Sequence, residues 1–102
     1  MGYFDRSEKN VKDFKDKVHD LERKFKSLSM QTAEKEIQFM YDRLLTEEKG
    51  VSDAFGGIRI PCQEHLDKRK ELQSILEEAR SKLNSIRKEI LSRKALGVEE
   101  KK

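Results

Sequence analysis

Apolar residues recur three and four positions apart near the start of the chain, separated by residues that are nearly all charged. The members of this set are Val11, Phe14, Val18, Leu21, Phe25 and Leu28. Their spacing is a heptad pattern, which places them along one face of an α-helix. It therefore predicts an amphipathic helix that begins near Asp5, whose carboxylate suits the positive end of the helix dipole.

The apolar pattern changes phase after Leu28. The next set is Met30, Ala33, Ile37, Met40 and Leu44. One interpretation is a single helix over about residues 5–49 with a local stutter. The other is a break at which Ser29 or Thr32 caps a new helix. Because this stretch contains no glycine or proline, we favour the continuous helix, which Gly50 then ends as a left-handed C-cap.

Residues 50–60 do not follow the helical spacing. Short β-type runs flank the pair Gly56–Gly57, and such a pair is a signal for a two-residue β-hairpin. The arms are short, and an isolated hairpin of this size is marginal in water. We therefore favour an ordered connector in which Phe55, Ile58 and Ile60 fold back onto the helix ends.

A second helix is predicted over about residues 61–96, with Pro61 in its first turn and Gly97 at its end. Its apolar seam is Cys62, His65, Arg69, Leu72, Leu76, Ala79, Leu83, Ile86 and Ile90. Residues 98–102 form a charged tail. The two matching heptad patterns and the short connection predict an all-α fold, a single antiparallel helical hairpin of the coiled-coil type over residues 1–97.

Such a hairpin leaves the start of its first helix uncovered. The second helix reaches back only to about Phe14, so Phe4 and Val11 project beyond it, and each exposed phenylalanine forfeits about 2 kcal/mol of burial. Small helical chains usually need further association for stability. We therefore expect self-association as a dimer, or docking onto the helices of another protein.

The amino-acid composition is typical of a helical protein and excludes some other classes of protein. Charged residues make up 42% of the 102 positions, with one proline and one cysteine. One cysteine excludes a disulfide scaffold, and no window is apolar enough to span a membrane. The start of the chain shows no apolar signal segment. These features predict a cytoplasmic protein with no membrane partner.

Cys62 and His65 are the main chemical grouping, one helical turn apart on one face. Nucleophilic catalysis needs an oxyanion hole and a substrate pocket, which a narrow coiled coil lacks. A metal site needs about four ligands, so two chains would each have to contribute a pair. The favoured interpretation is a small buried cysteine beside a histidine at the edge of the seam. No phosphate loop, dinucleotide fingerprint or zinc-finger spacing occurs, so we expect no enzyme activity, cofactor or metal.

Basic residues concentrate late in the second predicted helix. Arg80, Arg87 and Lys94 recur every seven residues beside the seam, and Lys88 adjoins them. This basic stripe suits a phosphate backbone, and it equally suits salt bridges to the first helix, with Glu22 opposite Arg87. Because the aromatic residues that stack on bases lie elsewhere, a nucleic-acid-associated protein is the alternative function rather than the main prediction.

Phe39 and Tyr41 widen the apolar surface over residues 37–45, which together with the loop over residues 55–60 is a candidate partner-binding surface. The alternative is that the two segments pack against each other at the end of the hairpin. The complete predicted partner-binding set is Phe4, Val11, Phe39, Tyr41, Phe55, Ile58 and Ile60. The predicted function is a non-catalytic protein–protein interaction module, a small coiled-coil adaptor, chaperone or inhibitor that acts by helix docking.

The predicted layout of a helix, a short possible β-hairpin and a second helix resembles that of prefoldin subunits. The resemblance is one of architecture, since no prefoldin sequence motif occurs in the chain. It implies coiled-coil arms that hold client proteins, and it assigns no functional residue.

Overall fold

The computed structural model describes the backbone of residues 3–100 and the side chains of residues 3–95. The protein is all-α, as predicted. Its elements are α1 (Asp5–Lys24), a 3-10 turn (Phe25–Ser27), α2 (Met30–Gly56) and α3 (Gln63–Glu100). They form a rod that measures 62 × 17 × 16 Å.

The three helices form an up-down-up bundle. The start of α1 meets the end of α2, where the Ser7 hydroxyl donates to the Gly50 carbonyl oxygen at 3.3 Å. The start of α2 lies beside the end of α3, where Lys94 Nζ donates to Glu34 Oε2 at 3.1 Å. Since α2 runs antiparallel to both neighbours, α1 and α3 point in the same direction.

The predicted continuous helix over residues 5–49 is wrong, because the chain reverses between α1 and α2. Leu28 has extended backbone angles, φ −87° and ψ 153°. Ser29 then caps α2, and its hydroxyl accepts a hydrogen bond from the Thr32 backbone N–H at 3.2 Å. The phase change of the apolar pattern explains this break. A straight helix would turn the two apolar stripes to different faces, whereas a reversal lets both face one core.

Gly50 does not end a helix. It lies inside α2, which continues to Gly56, and no glycine of the described chain has a positive φ. The predicted C-cap at Gly50 and the predicted connector over residues 50–60 are therefore wrong. The physical reason is Val51, which continues the helical apolar spacing and is fully buried.

The connector between α2 and α3 spans residues 57–62, and no strand occurs among residues 3–100. Ile58 is 8% exposed and Phe55 is half-buried, as the predicted folded-back loop requires. Ile60 is 88% exposed, so for this residue the prediction is wrong. The last helix begins only at Gln63, two residues after Pro61.

The predicted stop at Gly97 is wrong as well, because α3 continues to Glu100. Of the predicted tail, residues 98–100 belong to this helix, and residues 101–102 lie outside the described part of the chain.

A single apolar core runs along the bundle. Its members are Phe4, Val11, Phe14, Val18, Leu21, Phe25, Ala33, Ile37, Met40, Leu44, Val51, Ile58, Leu72, Leu76, Ala79, Leu83, Ile86 and Ile90. Phe4 and Val11, predicted to project uncovered, are 4% and 0% exposed because α2 folds back along α1. A three-helix bundle thus replaces the predicted hairpin, and the prefoldin-like layout is not observed.

Candidate functional site

One end of the bundle unites the start of α1, the end of α2 and the start of α3, and we call it the tip. It consists of Tyr3, Phe4, Phe55, Ile58, Ile60, Cys62, His65 and Leu66. Ring contacts hold these three parts of the chain together. The Tyr3 and His65 rings meet edge to face with centroids 5.3 Å apart, and the Phe4 and Phe55 rings lie 6.5 Å apart.

The floor of the tip is firmly packed. Phe4 and Ile58 are buried in the core, and the backbone N–H of Ile58 donates to the Phe55 carbonyl oxygen at 3.0 Å. The guanidinium carbon of Arg69 lies 4.1 Å from the centroid of the Phe55 ring, a cation–π contact. The connector therefore begins on an ordered base.

Large apolar side chains face water above this floor. Ile60 is almost fully exposed, Tyr3 is 59% exposed and Leu66 is 36% exposed. Pro61 disfavours helical backbone angles at Ile60, so the residue is held in the connector and cannot extend α2. Burial of such a side chain is worth about 1.5–3 kcal/mol, and for Ile60 folding of the chain gains almost none of it.

Cys62 and His65 lie together at the start of α3. Cys62 Sγ is 3.5 Å from His65 Nδ1, and the Cys62 backbone N–H donates to the same nitrogen at 3.3 Å. The predicted burial of Cys62 is wrong, because the residue is exposed. In the described part of the chain, no group of three or more His, Cys, Asp or Glu residues is arranged to hold a metal ion.

A recess of about 320 Å³ opens beside His65. Its lining residues are Tyr3, Phe4, Asp5, Glu8, Glu64, His65 and Lys68. The hydrogen bond from Lys68 Nζ to Glu8 Oε2 measures 2.9 Å. This bond, followed by one from Lys12, lowers the pKa of Glu8, and the same bond to Glu8 raises the pKa of Lys68. With three carboxylates against one ammonium group, the lining is negatively charged.

The structure separates the predicted partner-binding residues. Four of the seven lie at the tip, whereas Val11 belongs to the core of the shaft. Phe39 is 56% exposed beside a shallow groove between α1 and α2. Tyr41 is half-buried at the α2–α3 contact, where its hydroxyl donates to Asn84 Oδ1. Phe39 and Tyr41, from the surface expected over residues 37–45, therefore do not lie with the connector residues at the tip.

The basic stripe on α3 faces α2 for much of its length. Arg80 Nη2 donates to Glu48 Oε2 at 2.6 Å, and Lys94 is bound to Glu34. Lys88 is exposed and has no ion-pair partner among the described residues. Most of the stripe thus contributes to the contact between helices.

The predicted pair of Glu22 and Arg87 is wrong. Arg87 packs over the Tyr41 ring of α2, with its guanidinium carbon 5.6 Å from the ring centroid. Glu22 instead lies 3.7 Å from Lys82 Nζ. The reason is direction: α1 runs parallel to α3, so the residues that meet differ from those of an antiparallel hairpin.

Sequence reasoning missed Tyr3 as a tip residue. Tyr3 lies outside the heptad pattern, and its neighbour in space, His65, is distant in the sequence. The only available signal was its position beside Phe4.

No helix of the described chain is long and apolar enough to cross a membrane. Comparisons of this chain with protein-family models, with curated proteins and with solved structures found no match.

Proposed function

We propose that this protein is a non-catalytic protein-binding module whose contact surface is the tip. The observation that carries the proposal is the exposure of Ile60 next to a connector residue, Ile58, that is buried in the core, with Tyr3 and Leu66 also exposed at this end of the bundle. An apolar side chain that protrudes from an ordered turn is suited to fill a pocket in a partner protein.

The shaft is less suited to this role. Its apolar seams face one another in the core, and the basic stripe is largely engaged by α2. Three large apolar residues of the shaft are exposed, Phe39, Leu45 and Leu91. Phe39 lies beside the α1–α2 groove, whereas Leu91 lies beside the α2–α3 groove. Such single exposures are normal on protein surfaces.

The bundle supports binding by holding the tip in place before a partner arrives. Ile58 anchors one side of Ile60 in the core, and Pro61 restricts the other side. Less conformational entropy is therefore lost on association than with a flexible loop. Adaptors, chaperones and inhibitors of this kind act through binding itself.

Site-specific crosslinking in cells of the source organism tests the proposal. A photoreactive amino acid replaces exposed Arg59, next to Ile60, and in a matched control it replaces exposed Lys88 on the shaft. We expect a protein adduct, a second copy of this chain included, from position 59 only. The additional change Ile60→Asp should remove that adduct.

Equal labelling from both positions would overturn the proposal, as would an adduct that survives Ile60→Asp. A nuclease-sensitive adduct would also overturn it and would favour nucleic-acid association instead. Thermal unfolding of each variant, followed by circular dichroism, shows that the bundle is intact.

A further inference from the structure

Cys62 and His65 present two metal ligands at the separation of a tetrahedral chelate. Sγ and Nδ1 lie 3.5 Å apart. Zinc binds cysteine sulfur at about 2.3 Å and histidine nitrogen at about 2.0–2.1 Å, which at a tetrahedral angle places the two ligand atoms about 3.6 Å apart. The separation of Sγ and Nδ1 therefore matches that of two ligands on one Zn²⁺ ion.

Two ligands do not complete a structural zinc site, which takes four. Within residues 3–95 no third cysteine, histidine or carboxylate joins the pair in a possible metal group. We propose that two copies of the chain meet at their tips and share one Zn²⁺ in a Cys2His2 site, each copy supplying Cys62 and His65. This inference rests on the proposed function and names the partner as a second copy.

A second copy is the partner that we infer because one chain supplies only two of the four ligands, Cys62 and His65. Two identical pairs related by a twofold axis make four ligands of the types that structural zinc prefers. A contact between two tips would also remove from water some of the apolar surface of Ile60, Tyr3 and Leu66 that the single chain leaves exposed. The zinc ligands and the exposed apolar residues thus both favour a second copy of the chain as the partner.

The hydrogen bond that zinc must displace from His65 Nδ1 is a long one, 3.3 Å from the Cys62 nitrogen.

Zinc binding requires the thiolate form of cysteine. Each Cys62 thiol therefore loses its proton to the solvent as the Zn–S bond forms. No oxidation or reduction is involved.

Sedimentation of the purified full chain with ZnCl₂ tests the inference, in a phosphine reductant that does not bind zinc. We expect a mass near 12.0 kDa without zinc, a dimer at one zinc per two chains, and reversal by a chelator. With zinc at a hundred times its dissociation constant, dimerisation should tighten by about 100-fold. Replacement of zinc by Co²⁺ should give the absorption bands of tetrahedral thiolate coordination.

Matched variants assign the ligands. Cys62→Ser and His65→Asn should each abolish the zinc-dependent gain, whereas His19→Asn, on exposed α1 surface, should leave it unchanged. One zinc per monomer, no zinc binding, or a zinc dimer that persists in Cys62→Ser would each overturn the inference.

The inference and the proposed function fail in different ways. A dimer that forms without zinc and is lost in Ile60→Asp overturns the zinc site and supports the proposed function. A chain that stays monomeric in zinc while position 59 crosslinks to another protein likewise overturns the zinc site and supports the proposed function. A monomer that crosslinks to nothing overturns both.

Discussion

The chain reverses direction twice, and the two turns differ in what they leave exposed. The first, residues 25–29, buries Phe25 and uses Ser29 to cap α2. The second, residues 57–62, buries Ile58 yet leaves Ile60 and Cys62 in water. Each turn buries one apolar residue in the core. Only the second turn also leaves a cysteine and a large apolar side chain exposed, so the burial of these two groups does not contribute to folding.

The two turns also differ in whether they contain glycine or proline. The first turn contains neither glycine nor proline, so a sharp reversal of this bundle does not require them. The second contains Pro61, which fixes its own φ and restricts the backbone of Ile60. We therefore interpret the first turn as structural and the second as the binding end.

The largest effect should come from charge placed in the core rather than at the second turn. Leu76→Asp buries a carboxylate at a fully buried position of α3 and should cost about 4 kcal/mol or more. Ile60→Asp makes the same change in water and should alter the free energy of unfolding by less than about 0.5 kcal/mol. Urea unfolding followed by circular dichroism measures both, and equal losses would contradict the contrast.

Removal of the first turn's cap should have the next largest effect. Ser29→Ala deletes the oxygen that accepts from Thr32 N–H and should lower the free energy of unfolding by about 1 kcal/mol. Ser52→Ala, at an exposed position of the same helix, is the matched control and should show no loss. Thermal melts of the two variants decide the point, and identical melting temperatures would argue for a continuous helix through the turn.

Gly50→Ala locates the start of the second turn. Because Gly50 is inside α2 with negative φ, alanine should raise the free energy of unfolding by about 0.5–1 kcal/mol. The added Cβ would lie 3.9 Å from Ser7 Oγ, an ordinary contact. Chemical denaturation measures the change, and a loss of stability instead would indicate that the helix ends at Gly50.

A smaller effect concerns the ion pairs that join the helices between the two turns. A double-mutant cycle on Arg80 and Glu48 should give a coupling of about 0.2–1 kcal/mol, as exposed pairs do. The same cycle on Arg87 and Glu22 should give none, because the structure keeps them apart. Coupling between Arg87 and Glu22, with none between Arg80 and Glu48, would support the antiparallel hairpin and contradict the bundle.

The smallest effect is a pH dependence beside the second turn. The hydrogen bond from Lys68 holds the pKa of Glu8 below its ordinary value of 4.5. This contribution to stability is present above that value and is lost as the pH falls through the lowered pKa. In Lys68→Gln the pKa of Glu8 should rise toward 4.5, as carbon NMR of the carboxyl group measures, whereas Lys88→Gln should leave it unchanged.

Local patterns did not bring the candidate site together. Phe4, Phe55, Ile58 and Ile60 were all predicted to contact a partner, but Phe4 was expected at the opposite end of a long helix from the connector, whereas the structure brings the Phe4 and Phe55 rings within 6.5 Å. The prediction did not distinguish the buried floor of the tip, Phe4 and Ile58, from its exposed surface. Burial depends on which helices cover a residue, and neighbours in the sequence do not specify that.

The sequence by itself determined the all-α class and the buried face of each helix, because a heptad spacing has the same consequence wherever the helix lies. It did not determine the direction of the chain after Leu28. Neither glycine nor proline marks the reversal in the sequence, and only the reversal gives Phe4 and Val11 a partner. The tertiary structure also decided that Tyr3 meets His65 and that Arg80 meets Glu48. These contacts join residues far apart in the sequence, so they form only when the three helices pack around one core.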